Sequence, residues 1–207
     1  MPARYILSIL VAVLSAPFIL TSRIAFFWGG AELISDLKKC SEAITAAHPA
    51  PDLYIKLLIM AEDHRNALHP RVDPIAVLRC CLILITRKKN QGGSTIEQQL
   101  VRVVLNRYER TIRRKLREQI IAVELSRHFK KNQIASAYLS MAFYGTGQYG
   151  LEAACDAQEK SIHSTDVSRA LLIISKLKYP EPLVPSEPWT NRVNNRVRHI
   201  RQKMADF

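Results

Sequence analysis

The chain has 207 residues, with 30 Lys and Arg against 18 Asp and Glu, and its formal net charge is +12 at pH 7. This length allows one ordinary domain and excludes two full-sized domains. Hydrophobic residues make up 48% of the chain, enough to form a core, so global disorder is excluded. The positive charge points to an anionic partner: a nucleic acid, a membrane surface or a phosphorylated substrate.

The N-terminal segment is apolar, because Tyr5–Ser22 contains no charged side chain. A bilayer core of about 30 Å needs roughly 20 helical residues, and this run nearly suffices. A cleaved signal peptide is the alternative, since Arg4 supplies a positively charged start. Pro17 follows the small residues and makes a poor cleavage context. The sequence therefore predicts residues 1–28 as an uncleaved membrane anchor and residues 29–44 as a linker.

The remaining residues, 45–207, predict a mainly α domain, because no strand-like alternation of any length occurs. Ser94 with Glu97 three residues later is typical of a capping box, which would fold the Glu97 carboxylate back onto the helix start. The four cysteines lack metal-ligand spacing and predict small buried hydrophobic side chains rather than a disulfide framework: Cys40, Cys80, Cys81 and Cys155. Helices are predicted at 51–61, 73–86, 94–107, 111–129, 131–144, 151–158, 166–177 and 191–204.

Four clusters could carry chemistry, and each also has a simpler explanation. The acid pair Glu62-Asp63 with His69 follows an apolar helix, and alone it would be a solvated pair. The glycines of Gly92–Thr95 would let an anion approach a helix start, although the capping box explains part of this segment. Arg114 and Glu118 share a helix face, as a surface ion pair would. The fourth cluster is a Gly-rich turn between helices, 144–154, which could be purely structural.

In this order the segments resemble the five motifs of the family 51 glycosyltransferases. These are the peptidoglycan glycosyltransferases found alone or in bifunctional penicillin-binding proteins. The resemblance covers about residues 45–204 and implies a monofunctional form. The matching segments are Ala61–His64 with His69-Pro70 and Val72–Pro74, then Gln91–Arg102, Arg114–Glu118, Ala137–Gly145, and Ala170–Leu172 with Lys178–Pro180.

The resemblance implies a lysozyme-like fold with a smaller membrane-proximal lobe, and it implies the polymerisation of lipid II into glycan strands. Glu62 would be the general base that takes the proton of the acceptor GlcNAc 4-hydroxyl as this oxygen attacks the donor MurNAc C1. Undecaprenyl pyrophosphate would leave with inversion, and Glu118 would be a second catalytic carboxylate near it. The implied substrate-binding residues are Asp63, His69, Ser94, Thr95, Gln99, Arg102, Arg114 and Lys115.

The resemblance also implies partners and a location. The partners would be lipid II, the nascent glycan strand, membrane lipids and other cell-wall synthesis proteins, with no nucleic acid. No organic cofactor is expected, and a divalent cation, Mg²⁺ or Mn²⁺, would fit at the substrate pyrophosphate. The domain would lie on the outer side of the bacterial cytoplasmic membrane, held by a single span.

Several departures from the family pattern keep a second hypothesis open, a degenerate homologue that binds lipid II or a wall-synthesis protein without catalysis. A third hypothesis, a membrane-anchored nucleic-acid binder, is opposed by the scattered positive charge and the lack of a recognisable nucleic-acid module. The departures are Asn66 for an aromatic residue, Arg71 for Gly, Glu97 for Thr, Val103 for Asn, Ser136 for Glu and Ser140 for Asn.

Overall fold

The computed structural model describes residues 2–28, 30–63, 66, 94–109, 111–158 and 166–205, without the side chains of 2–12 and 18. Several predictions lie outside these residues, namely the helix at 73–86, His69, Arg71, Cys80, Cys81 and the glycines 92 and 93. The described part is mainly helical, as predicted. Its helices are α1 (Pro2–Phe27), α2 (Ala31–Ala46), α3 (Asp52–Glu62), α4 (Ile96–Leu105), α5 (Ile112–His128), α6 (Lys131–Met141), α7 (Gly150–Asp156), α8 (Val167–Lys176) and α9 (Glu187–Ala205).

Two of the helices that the sequence predicted, α5 and α8, begin at residues whose side chains cap them. The Thr111 hydroxyl accepts a hydrogen bond from the Arg114 N–H at the start of α5. The Asp166 carboxylate accepts from Ser168 N–H and Arg169 N–H at the start of α8. Both side chains satisfy N–H groups that have no partner within the helix. The predicted helices at 111–129 and 166–177 are confirmed.

The core lies where α4 packs along α6, with α2, α3, α5 and α8 around this pair. Helices α2 and α3 each bury one face, whereas the central helix α6 buries six consecutive residues, 134–139. The C-terminal helix α9 packs against α3 and α8 through one face, which carries Val193 and Ile200. The fully buried side chains include Leu57, Leu58, Leu100, Ile121, Leu125, Leu139, Leu171 and Ile173.

Helix α6 ends earlier than predicted, and a short hairpin follows it. Strands β1 (Phe143–Gly145) and β2 (Gln148–Tyr149) pair antiparallel, with Phe143 opposite Tyr149. The hairpin then enters α7 at Gly150, whose φ is +82°. A Cβ at this position would lie 2.5 Å from the Ser140 carbonyl oxygen, so glycine is required there. The predicted absence of strands is wrong for this hairpin, because its strands are too short to alternate.

The capping box predicted at Ser94 and Glu97 is also wrong. The N-cap of α4 is Thr95, so Glu97 is the second helical residue and cannot close a box with Ser94. The Ser94 hydroxyl instead accepts a hydrogen bond from Lys115 Nζ at 2.7 Å. This contact holds Ser94 toward α5 rather than over the start of α4. Glu97 is 1% exposed.

The segment before residue 45 packs against the domain. Helix α2 covers most of the predicted linker, and it buries Cys40 and Ile44 in the core. Helix α1 packs on α5, where Ser22 Oγ donates to Ile120 O at 3.1 Å. Within the described residues, no single helix meets the length and apolarity that a membrane span needs. Val13–Phe27 and Ala31–Ala46 meet these criteria only as a pair, bent by 114°.

Candidate active site

Glu62 is the last residue of α3, and two side chains from distant segments hold its carboxylate. Arg196 Nη2, from α9, lies 2.8 Å from Glu62 Oε1. Gln99 Nε2, from α4, donates to Glu62 Oε2 at 3.3 Å. The Glu62 side chain is 19% exposed, so it is accessible but mostly withdrawn from water. A guanidinium in this position stabilises the negative charge of the carboxylate.

The partners of Glu62 are themselves fixed. Arg196 Nη2 also donates to Ala61 O at 2.5 Å, at the end of α3. The Tyr138 hydroxyl, from α6, donates to Gln99 Oε1 at 2.8 Å. Burial raises the pKa of Tyr138, so its hydroxyl stays protonated and remains a donor. This donation leaves the amide of Gln99 to face Glu62.

Glu118 lies on α5 and is surrounded by cations. Arg102 makes two contacts with its carboxylate, from Nε to Oε1 at 3.0 Å and from Nη2 to Oε2 at 3.3 Å. Arg114 Nη1 also pairs with Oε1, and Lys115 Nζ lies 3.6 Å from Oε2. Because the Glu118 side chain is only 3% exposed, these contacts act with little screening by water. One carboxylate therefore shares three cations and leaves an excess of positive charge.

Polar side chains of α4 and its N-terminal approach extend this cationic cluster. Lys115 Nζ donates to Ser94 Oγ and to Gln98 Oε1, both at 2.7 Å. Burial lowers the pKa of Lys115, the charge of Glu118 raises it, and the nearby arginines lower it further. Thr95 Oγ1 is buried and has no hydrogen-bond partner among the described residues. Ser94, Lys115 and the two arginines form a cluster of donors suited to phosphate oxygens.

Helix α4 connects the two carboxylates. Gln99 contacts Glu62 and Arg102 contacts Glu118, and the two residues are three apart on the same helix face. Both also line a groove of about 420 Å³. The other lining residues are Val103, Asn106, Tyr108, Tyr138, Ala142, Phe143, Tyr149, Leu177 and Pro180.

The structure brings together most of the predicted site residues. Glu62 with Gln99 forms one end of the arrangement, and the cluster around Glu118 forms the other. Asp63 differs, because it is 5% exposed and its carboxylate accepts from Asn66 Nδ2 at 3.2 Å. His69 lies outside the described residues.

Sequence reasoning gave no role to Arg196. A signal for it is present, because Arg196 lies three residues after Val193 and four before Ile200, the two buried residues of α9. A cation on the buried face of an amphipathic helix needs an anionic partner. That partner is Glu62, which no local pattern connects with the C-terminal helix.

The side chains around Glu118 do not fit a divalent cation held by the protein. No group of three or more His, Cys, Asp or Glu side chains in the described part of the chain could hold a metal ion. Both oxygens of Glu118 already contact positively charged groups, which would repel a second cation.

The family model described as Transglycosylase matches residues 31–205, most of the chain. The chain belongs to the transglycosylase family. Among the curated relatives of this transglycosylase chain, penicillin-binding protein 1A of Rickettsia prowazekii (strain Madrid E) is 32% identical over 161 residues, which is 75% of this chain and 20% of that protein.

Two further relatives come from other bacteria. Penicillin-binding protein 1A of Aquifex aeolicus (strain VF5) is 32% identical over 137 residues, 65% of this chain and 19% of that protein. Penicillin-binding protein 2a of Streptococcus pneumoniae serotype 2 is 33% identical over 153 residues, 67% of this chain and 20% of that protein. The transglycosylase chain thus spans about a fifth of the length of these relatives.

Several departures from the family pattern have partners within this transglycosylase fold. Ser136 Oγ accepts from Ala50 N–H at 3.0 Å, and Ser140 Oγ donates to Ala137 O at 2.9 Å. Val103 lines the groove. Asn66 contacts Asp63, and Glu97 is buried beneath the site. The Ser140 contact is local, the Ser136 contact joins segments 86 residues apart, and neither hydrogen bond involves Glu62 or Glu118.

Proposed function

We propose that this chain is a peptidoglycan glycosyltransferase that polymerises lipid II into glycan strands. One observation carries the proposal: a single face of α4 joins a carboxylate held by one guanidinium to a carboxylate inside a cluster of three cations. The first carboxylate can act as a general base, and the cations around the second can stabilise a leaving pyrophosphate. Membership of the transglycosylase family supports the same assignment.

In this mechanism Glu62 is the general base. Its carboxylate takes the proton from the GlcNAc 4-hydroxyl of the acceptor as that oxygen forms a bond to the MurNAc C1 of the donor. The bond from C1 to the pyrophosphate oxygen breaks in the same displacement, so the configuration at C1 inverts. Gln99 and Arg196 hold the carboxylate in the direction needed for this proton transfer.

The leaving pyrophosphate would bind at the cationic cluster. Arg102, Arg114 and Lys115 supply three positive charges against the single charge of Glu118, and Ser94 adds a hydroxyl. A positively charged pocket already in place stabilises negative charge as it develops on the leaving group. Glu118 acts by keeping the three cations together when no substrate is bound.

We also propose a fold, a location and partners for this chain. The described helices would form a lysozyme-like lobe, and the N-terminal helix would hold the domain at the outer face of the cytoplasmic membrane, where a lipid-linked substrate lies. The partners would be the nascent glycan strand, membrane lipids and other wall-synthesis proteins. The positive charge of the chain would favour anionic headgroups and pyrophosphates.

Polymerisation of labelled lipid II by the purified full chain in detergent tests the proposal. We expect glycan strands longer than one added disaccharide, separated by gel electrophoresis, with undecaprenyl pyrophosphate released in proportion. Lipid II that binds but is never extended would instead support the non-catalytic homologue. A chain that neither binds nor extends lipid II would contradict both.

A further inference from the structure

A second group of charged and polar side chains lies next to the candidate site and takes no part in the mechanism above. It consists of Lys131 at the start of α6, Glu97 on α4, and Asp63 with Asn66 after the end of α3. Glu97 is 1% exposed and Asp63 5% exposed, so two carboxylates are withdrawn from water here. We call these four residues the Lys131 cluster.

Hydrogen bonds connect this cluster to the turn that follows Glu62. Asp63 caps α3, and its N–H donates to Ile59 O at 2.9 Å. Asn66 N–H donates to Asp63 O at 2.8 Å, and Asn66 Nδ2 donates to Asp63 Oδ2 at 3.2 Å. Lys131 Nζ donates to the carbonyl oxygen of Asn66. The ammonium group therefore ties the turn to α6.

The charges of the cluster explain why Lys131 is suited to this position. Burial lowers the pKa of Lys131, while the carboxylates of Glu97 and Asp63 raise it. Glu97 Oε2 has no hydrogen-bond partner among the described residues, so this acid depends on a nearby positive charge. Removing the cation from a buried group of this kind leaves uncompensated negative charge and strongly destabilises the fold.

We propose that Lys131 is a positioning residue for Glu62, and that it also balances the buried charges of Glu97 and Asp63. The inference rests on the proposed function for its catalytic part, because Glu62 must be the base. Lys131 ties the turn after Glu62 to α6, and the charge of Glu97 on α4 raises its pKa. Because α6 packs along α4 and its Tyr138 holds Gln99, this contact fixes the end of α3 relative to Gln99.

A double-mutant cycle separates the two roles. It compares Lys131→Met, Glu97→Gln and the variant that carries both substitutions. Lys131→Met should lower the melting temperature by about 5 °C or more, since about 1 kcal/mol corresponds to about 2–4 °C in a chain of this size. The double variant should regain most of this loss, because Glu97→Gln removes the acid left without a cation. Lys130→Met, at the exposed neighbouring lysine, is the matched control and should melt like the wild type.

Turnover of lipid II tests the positioning role. The double variant still lacks the contact between Lys131 and Asn66, so its kcat should stay at least about tenfold below wild type although its stability is restored. KM should change less than about threefold, because the cationic pocket around Glu118 remains intact. A stable double variant with wild-type kcat would overturn the positioning role.

The stability measurements stand apart from the proposed function, because they use no substrate. If Lys131→Met and the double variant melt at the same lowered temperature, or both fail to fold, charge balance is overturned. If Lys131→Met fails to fold and the double variant folds, charge balance is supported and the double variant alone carries the kinetic test. A wild-type chain without transferase activity would refute the proposed function and, with it, the positioning role, while the melting cycle still decides charge balance.

Discussion

Glu62 and Arg196 lie 134 residues apart in the sequence, and 2.8 Å separates Glu62 Oε1 from Arg196 Nη2 in the fold. The same guanidinium donates to the carbonyl of Ala61, so one side chain of α9 holds both the proposed base and the helix end that carries it. The Arg196 side chain is 10% exposed. The C-terminal helix is therefore part of the candidate site.

Replacing Arg196 with glutamine tests this relationship. Arg196→Gln keeps a hydrogen-bond donor but removes the positive charge beside a mostly buried carboxylate. We expect lipid II turnover to fall at least about tenfold, about 1.4 kcal/mol of transition-state stabilisation. Arg198→Gln, at an exposed position of the same helix, is the control and should retain activity. Equal turnover in both variants would contradict the role given to Arg196.

Replacing Glu62 with glutamine tests the base itself. Glu62→Gln preserves the shape of the side chain but removes its ability to accept the proton, so turnover should fall by at least about 100-fold. Binding of lipid II should persist, because the cationic pocket is unchanged. Glu42→Gln, on α2 with a 65% exposed side chain, controls for loss of one acidic charge. Polymerisation by Glu62→Gln near the wild-type rate would refute the assignment.

The cluster around Glu118 predicts an effect that needs no turnover. In Glu118→Gln three cations remain close together without their anion, so the free protein should melt at a lower temperature. Inorganic pyrophosphate should then raise its melting temperature more than it raises that of the wild type, because an anion that binds only the folded state stabilises it. Glu124→Gln on the same helix is the control, because the Glu124 carboxylate pairs with Arg127 and His128 outside this cluster. An equal response of Glu118→Gln and wild type to pyrophosphate would argue against a phosphate site here.

Local patterns predicted the helices well and the contacts between them poorly. The bounds of α5 and α8 follow from cap residues and apolar spacing, which act within a few residues along the chain. The assignment of Ser94 as the cap of α4 failed because its hydroxyl is engaged by Lys115, 21 residues further on. The hairpin after α6 was not predicted, because its two strands contain only five residues and show no detectable periodicity.

The candidate site shows the same division. Ser94, Gln99, Arg102, Arg114, Lys115 and the two glutamates come from segments that resemble family motifs, and the structure brings them together. Arg196 and Lys131 are not among the motif residues to which the resemblance assigns a role. Their roles depend on which helices pack together, and local sequence patterns do not reveal that packing. Both are cations whose acidic neighbours only the fold places near them.

Lys115 predicts a pH dependence of phosphate binding. Its pKa is lowered, chiefly by burial, so its ammonium loses a proton at a lower pH than an ordinary lysine. Affinity for pyrophosphate should therefore weaken as the pH rises toward that pKa, below the usual range of lysine. Lys115→Arg, whose guanidinium stays charged, should remove this alkaline loss. Calorimetric titration between pH 7 and 10 measures it, and the same alkaline loss in the arginine variant would assign it to another group.

Packing of α1 on α5 predicts that truncations of the N-terminus will differ. Ser15 and Ser22 are fully buried, Ser22 Oγ donates to Ile120 O, and Phe26 packs against the core. Removing residues 1–12 should leave the melting temperature within about 2 °C of wild type, whereas removing residues 1–28 should lower it by about 5 °C or more. Circular dichroism should still report a helical domain in both, because helices α3 to α8 supply most of the core.

The longer truncation should also differ from the wild type in its turnover of lipid II. A chain without residues 1–28 keeps Glu62 and the cationic cluster, so it should retain part of its turnover on lipid II in detergent. On lipid II embedded in vesicles its turnover should fall much further, since the apolar segment that would hold it at the bilayer is gone. Equal losses in detergent and in vesicles would instead assign the N-terminal helix to the stability of the domain alone, through its contact with α5.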